Sequence, residues 1–85
     1  MKITIYSTTW CPSCVSAKKL LDTKNLSYKE INIEEKDISR ESLMKMTGGH
    51  TVPQIIINEK TIGGFDKLLM LSQSGELDKM IANEN

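Results

Sequence analysis

The sequence has no excess of charge of either sign and no long apolar run. Of its 85 residues, 11 are Lys or Arg and 11 are Asp or Glu, so the formal net charge is zero. Without a basic excess there is little electrostatic attraction to nucleic acid or to anionic membranes. No stretch approaches the ~20 apolar residues of a membrane span, and no signal segment precedes the first predicted strand. We therefore expect neither a nucleic-acid partner nor a membrane location.

Cysteine and histidine, the usual ligands of structural zinc, are also scarce, with two cysteines and a single histidine, His50. A structural zinc ion takes four ligands, so we expect no metal site. Two cysteines are too few for a disulfide scaffold, and without a secretion signal they are typical of a reducing compartment. This predicts a cytoplasmic protein. A hydrophobic content of 39% suits one small domain over residues 1–85, ending in a polar tail at about 82–85.

Both cysteines lie in the stretch Cys11-Pro12-Ser13-Cys14. The β-branched and aromatic residues 2–6 before it predict a strand. Apolar residues at helical spacing after it predict a helix over 12–24, which Asn25 would end in a left-handed conformation. Pro12 suits the first helical position, which leaves Cys11 as N-cap and Cys14 in the first turn.

A sulfur at the N-cap faces unpaired backbone N–H groups and the positive end of the helix dipole. This stabilises a Cys11 thiolate and predicts a pKa below the roughly 8.5 of a free cysteine. Helical spacing keeps Cys14 close enough to attack a disulfide formed at Cys11. A C-x-x-C in a βαβ context favours redox chemistry. A metal or cluster ligand pair and a structural disulfide are the alternatives, although so short a loop gives about 2 kcal/mol of chain-entropy stabilisation before strain.

The remaining segments complete the order β-α-β-α-β-β-α. We predict strands over 27–33, 54–58 and 61–62, helices over 38–46 and 66–73, and a last helical turn or two over 76–81. Asp37 or Ser39 would cap the second helix, and Met44 and Met46 would fill the core with Leu43. The fold class is α/β: a thioredoxin-like, four-stranded mixed sheet with helices on both faces. We expect Lys18, one turn past Cys14, to face solvent, with added positive potential at the cysteines as the alternative. We expect His50 to be exposed, and Trp10 either to shield Cys11 or to contact partners.

Three separated motifs together resemble a dithiol glutaredoxin, and the resemblance runs from Lys2 to about Ile81. They are Cys11-Pro12-Ser13-Cys14, Thr51-Val52-Pro53 and Gly63-Gly64-Phe65-Asp66. The resemblance implies a thiol–disulfide oxidoreductase that uses glutathione as its reductant. Its other partners would be disulfide-bonded or glutathionylated proteins, and it would act as a monomer.

The resemblance also implies roles for the matching residues. Cys11 would be the nucleophile and Cys14 the resolving cysteine. Pro53 would follow a cis peptide bond that brings the preceding backbone beside the reactive sulfur. The N–H and C=O of Val52 would then pair with the cysteine residue of glutathione, as in strand addition, with Thr51 at the edge of the groove.

The third motif would hold the γ-glutamyl end of glutathione through Gly64, Phe65 and Asp66. Backbone N–H groups at a helix start suit its carboxylate, and Asp66 suits its ammonium, although Asp66 could instead cap the helix. Arg40 lies where the family often places a polar side chain for the glycine carboxylate; a solvated surface residue is the alternative.

Two glutathione-site positions depart from the family pattern. Thr8 stands where many relatives have a lysine, so a cation for the thiolate and for the glycine carboxylate is missing. Ser13 stands where tyrosine is common, which exchanges an aromatic contact for a hydroxyl able to bond a sulfur.

Two other functions stay open at this point. One is a glutaredoxin-like protein reduced by thioredoxin reductase, which the uncharged Thr8 mildly favours. The other is a binding protein that shares an iron–sulfur cluster across a glutathione-bridged dimer. Relatives of that kind usually have a small residue in place of Pro12, which disfavours it.

Overall fold

A computed structural model describes residues 2–83 of the chain, which form four strands and four helices. The elements are β1 (Ile3–Ser7), α1 (Pro12–Thr23), β2 (Lys29–Asn32), α2 (Arg40–Thr47), β3 (Gln54–Ile57), β4 (Lys60–Gly63), α3 (Phe65–Gln73) and α4 (Glu76–Ala82). The strands form one sheet in the order β2-β1-β3-β4. β1 pairs parallel with β2 and antiparallel with β3, and β4 pairs antiparallel with β3. The predicted mixed sheet is confirmed.

The main core lies on one face of this sheet. Strand alternation turns Ile3 and Ile5 of β1 and Ile55 and Ile57 of β3 to the same side, where α1, α3 and α4 cover them. Its buried members are Ile3, Ile5, Ala17, Leu21, Ile55, Ile57, Leu68 and Leu77. Fully burying an aliphatic side chain of this size contributes about 1.5–3 kcal/mol, so this layer is the main favourable term that holds α1 and α3 against the sheet.

Helix α2 covers the other face and contacts β3. Leu43 is fully buried but lies outside the main core, and Thr47, one turn later, is also buried. Met44 and Met46 are 42% and 45% exposed. The prediction that these methionines fill the core is therefore wrong, because a two-turn helix presents only one narrow stripe to the sheet.

Several element ends differ from the sequence prediction for local reasons. Ser39 caps α2 by accepting a bond from the Ser42 N–H at 3.0 Å, whereas Asp37 lies in the preceding turn at φ 57°. β2 is shorter than predicted because its pairing with β1 covers only Lys29–Asn32. Asn25 has the predicted left-handed conformation at φ 58°, directly after α1.

The last helical turns predicted over 76–81 are confirmed as α4. α4 extends to Ala82, the first residue of the predicted polar tail, and residues 84 and 85 lie outside the described part. Across residues 2–83, no helix combines the length and apolar character needed to cross a bilayer.

A polar contact joins β1, β2 and α1 beside the main core. The fully buried Ser7 hydroxyl donates to a Glu30 carboxylate oxygen at 2.7 Å, and Lys18 Nζ donates to the same oxygen at 3.0 Å. Lys18 is thus an ion-pair partner whose side chain is 27% exposed, rather than a fully solvated charge. The Ser7 bond, followed by the Lys18 bond, lowers the pKa of the Glu30 carboxyl.

Glu30 should therefore make stability depend on pH in the acid range. A carboxyl whose pKa is lower in the folded than in the unfolded chain stabilises the fold above its unfolded pKa of about 4.3. That stabilisation is lost as the pH falls through the lowered folded pKa. Because the side chain is 37% exposed, screening limits the effect to about 0.5–1 kcal/mol. In urea unfolding, Glu30→Gln should cost this amount at pH 7 and nothing near about pH 3.

Glu35→Gln is the matched control, since Glu35 is exposed and its carboxylate is in no ion pair with a described residue. Equal pH dependence of unfolding in the wild type and in Glu30→Gln would contradict this role of Glu30.

Candidate active site

The two cysteines lie at the start of α1, as the sequence predicts. Cys11 is the N-cap, with extended backbone at φ −154° and ψ 96°, and Pro12 is the first helical residue. The Cys11 sulfur accepts a hydrogen bond from the Cys14 backbone N–H at 3.1 Å. The two side chains form a disulfide across a Cα–Cα distance of 5.2 Å. The helix start thus directs a backbone donor at the sulfur of Cys11.

The two sulfurs of this disulfide differ in their access to solvent. Cys14 is 1% exposed, whereas Cys11 is only partly buried. A large reaction partner therefore meets Cys11 first. Trp10 is 86% exposed, so it does not shield Cys11. Its other predicted role, contact with partners, stays a prediction.

A groove of about 320 Å³ lies next to the cysteines. Its lining comes from the first turn of α1, the loop before β3 and the start of α3: Ser13, Thr51, Val52, Pro53, Gly64, Phe65, Asp66 and Lys67. The Val52–Pro53 peptide bond is cis, as the resemblance implied. A Cβ on Gly64 would lie 3.6 Å from the Pro53 carbonyl oxygen, so the two loops are in contact. Three segments that are distant in sequence thus form one groove.

Thr8 and Arg40 are not among the residues that line this groove. The Thr8 hydroxyl donates to the Trp10 carbonyl oxygen at 3.4 Å. Arg40 Nη1 donates to the His50 carbonyl oxygen at 3.0 Å, and His50 is exposed, as predicted. Arg40 therefore supports the backbone just before Thr51 from outside the groove.

Gln54 is a positioning residue that the sequence analysis did not identify. Its side chain is buried, and Nε2 donates to the Thr51 carbonyl at 2.9 Å and to the Thr51 hydroxyl at 3.3 Å. A Cβ on Gly49 would lie 2.5 Å from the same nitrogen, so only glycine leaves room for it. The feature of the sequence that could have identified Gln54 is its position as a single amide residue directly before the isoleucines of β3.

The start of α3 supplies both charges in the groove lining. Gly64 is the N-cap and makes no side-chain capping bond, so Asp66 does not cap the helix and instead lies in its first turn. The next residue, Lys67, also lines the groove. The sequence analysis did not identify it, because its pattern is that of an ordinary surface lysine. Asp66 and Lys67 give this end of the groove one anion and one cation, beside backbone N–H groups that no capping side chain occupies.

Within residues 2–83, no group of three or more His, Cys, Asp or Glu side chains is arranged to hold a metal ion. The chemistry that this arrangement can carry out is thiol–disulfide exchange at Cys11, next to a groove that can bind a small polar molecule.

Comparison with known proteins identifies the family of this site. The glutaredoxin family model matches residues 3–62. A glutaredoxin of Pseudomonas aeruginosa is 41% identical over 80 residues, which cover 94% of this chain and 95% of that protein. Glutaredoxin 3 of Escherichia coli is 40% identical over 79 residues, which cover 93% and 95%. The crystal structure of a buckwheat glutaredoxin–glutathione complex superposes with a TM-score of 0.84 at 31% identity, covering 94% of this chain and 76% of that one. With a redox-capable cysteine pair at the head of α1 and these relatives along nearly its whole length, the chain belongs to the glutaredoxin family of thiol–disulfide oxidoreductases.

Proposed function

We propose that this protein reduces glutathione–protein mixed disulfides and protein disulfides through Cys11 and Cys14, with glutathione as the reductant. The observation that carries the proposal is an accessible Cys11 at the head of α1, disulfide-bonded to a buried Cys14 and adjacent to the 320 Å³ groove. An enzyme that acts on both substrates needs one exposed attacking sulfur and one sheltered sulfur close behind it.

In the mixed-disulfide reaction, the Cys11 thiolate attacks the glutathione sulfur of the substrate. A Cys11–glutathione disulfide forms while the protein sulfur leaves as a thiolate and takes up a proton. A second glutathione thiolate then attacks the glutathione sulfur on Cys11. Oxidised glutathione leaves, and Cys11 is again a thiolate. Over the whole cycle, two electrons pass from glutathione to the substrate protein.

In the protein-disulfide reaction, Cys11 attacks one sulfur of the substrate and forms a mixed disulfide with it. The Cys14 thiolate attacks the Cys11 sulfur and releases the reduced protein, which leaves the Cys11–Cys14 disulfide. Two glutathione molecules then restore the dithiol. The disulfide between these two residues supports this role, and its 5.2 Å Cα–Cα separation is in the usual range for a disulfide.

Glutathione would lie along the loop before β3. In the proposal, the N–H and C=O of Val52 pair with its cysteine residue, Thr51 lies at the edge, and Pro53 and Ser13 bound the site near Cys11. The contact between Gln54 and Thr51 supports this assignment, because it holds the loop rigid. The buckwheat relative, whose structure is a complex with glutathione, supports the ligand.

The γ-glutamyl end would lie at the start of α3, held by Gly64, Phe65 and Asp66. The uncapped N–H groups there suit a carboxylate. Arg40, outside the groove lining, would act on the glycine end only through the 50–51 backbone. Thr8 would supply no charge. These two are the weaker members of the predicted glutathione site.

We further propose that the chain acts as a single-domain monomer in the cytoplasm. The glutathione pool of that compartment is reducing enough to return the Cys11–Cys14 disulfide to the dithiol after each turnover.

A coupled assay tests the choice of reductant. With a glutathionylated peptide as substrate, NADPH oxidation should require glutathione and glutathione reductase, and thioredoxin reductase should not replace them. Cys11→Ser protein is the control for the uncatalysed exchange. Equal turnover with thioredoxin reductase alone would contradict the proposal and favour the alternative reductant.

A further inference from the structure

We propose that Lys67 binds the α-carboxylate of the γ-glutamyl residue, so that Asp66 and Lys67 together recognise its zwitterionic head. This inference rests on the proposed use of glutathione and names a residue that sets specificity for it. Thiol compounds that lack either charge at that carbon would then be poorer partners.

Charge complementarity orients the ligand in the groove. Glutathione has two carboxylates and one ammonium, and the groove lining has one anion, Asp66. The ammonium therefore belongs beside Asp66. The α-carboxylate is attached to the same carbon atom as the ammonium, so it lies within reach of the next residue, Lys67. The glycine carboxylate has no ammonium neighbour and lies toward the other end of the molecule.

The stem of Lys67 is held where this pairing needs it. A Cβ on Gly63 would lie 3.1 Å from Lys67 Cγ and 3.6 Å from its Cβ, so the stem packs across the Gly63 backbone. Gly63 also has a φ of +114°, which disfavours any other residue there. With its stem against β4, Lys67 lines the groove, and it forms no ion pair with another described residue.

Lys67 is also in an unfavourable place for helix stability. It is the third residue of α3, in the first turn, where the helix dipole favours acidic side chains and disfavours cations. A residue that breaks a local preference without a structural partner is expected at a functional site. A bound carboxylate would supply the missing partner.

Single-turnover kinetics with substrate analogues test the proposal. Reduced protein is mixed with a reporter peptide disulfide-linked to one of three thiols: glutathione, 4-aminobutanoyl-cysteinylglycine, which lacks the α-carboxylate, or glutaryl-cysteinylglycine, which lacks the ammonium. Lys67→Gln should slow the reaction with the glutathione adduct about three- to fivefold, the size of an exposed ion pair. It should leave the rate with the aminobutanoyl adduct unchanged.

Control variants separate binding from structure and from bulk charge. Lys79→Gln removes the same charge from an exposed position on α4 and should change neither rate. Lys67→Arg should restore most of the rate with the glutathione adduct. Thermal unfolding of Lys67→Gln should occur at the same or a higher temperature, because the substitution removes a cation from the first turn of the helix.

The outcomes distinguish a failure of the Lys67 inference from a failure of the proposed use of glutathione. Equal slowing of the glutathione and aminobutanoyl reactions by Lys67→Gln, or no slowing of either, would overturn the role of Lys67 while glutathione use stands. If the wild type reacts no faster with the glutathione adduct than with a cysteamine adduct of the same peptide, both the Lys67 inference and the proposed function fail.

Discussion

Replacing Cys11 with serine should abolish both proposed activities, whereas replacing Cys14 should abolish only one of them. Cys11 is the accessible sulfur, and Cys14 is 1% exposed behind it. Every route in the mechanism begins with attack by Cys11, and a serine hydroxyl at that position is not ionised at neutral pH. Reduction of a mixed disulfide needs no second protein thiol, because glutathione itself can resolve the intermediate.

The measurement is the turnover of both variants on a glutathionylated peptide and on a protein disulfide. Cys11→Ser should give the uncatalysed rate with both substrates. Cys14→Ser should keep most of its activity on the glutathionylated peptide and lose most of its activity on the protein disulfide. An equal loss of deglutathionylation in the two variants would mean that the roles of the cysteines are assigned incorrectly.

The sequence was most informative where local chemistry decides the structure. Pro12 and Cys11 were placed correctly because fixed φ and the N-cap position depend on neighbouring residues alone. Asn25 in the left-handed region and Pro53 at the head of β3 follow from similar local rules. The isoleucine run of β3 predicts a strand covered on both faces, because a continuous apolar run is typical of such strands.

The predictions that failed depend on contacts between distant segments. Helical spacing predicts Met44 and Met46 in the core, but Leu43 and Thr47 are the residues of that helix that the fold buries. The ion pair of Lys18 cannot be predicted from the residues near it in sequence, because its partner, Glu30, is on a different element.

The roles of Lys67 and Gln54 could not be predicted from the sequence, because they too depend on tertiary packing. Lys67 has the ordinary pattern of a surface helix residue, and only the packing of α3 against β4 directs it to the groove. The sequence likewise predicts Gln54 only as a strand residue, whereas in the structure its amide donates to the Thr51 carbonyl oxygen. In both cases, tertiary packing determines what the side chain does.

The second large effect that we expect is ionisation of Cys11 well below the pH at which an ordinary thiol ionises. In the structure the Cys11 sulfur accepts the Cys14 N–H at 3.1 Å, at the positive end of a twelve-residue helix. A thiolate accepts such a bond more strongly than a thiol does, so the folded chain should favour the ionised form. Active-site cysteines in comparable positions ionise at about pH 3.5–7.5, against about 8.5 for a free cysteine.

The most direct test of the account is the pH dependence of Cys11 alkylation by iodoacetamide in the Cys14→Ser variant. The same variant unfolded in urea is the control, because unfolding removes the helix and leaves the thiol. We expect the rate of the folded protein to reach half its maximum at least about one pH unit below the midpoint of the unfolded protein. Coincident midpoints would mean that the start of α1 does not activate Cys11, and the proposed mechanism would lose its first step.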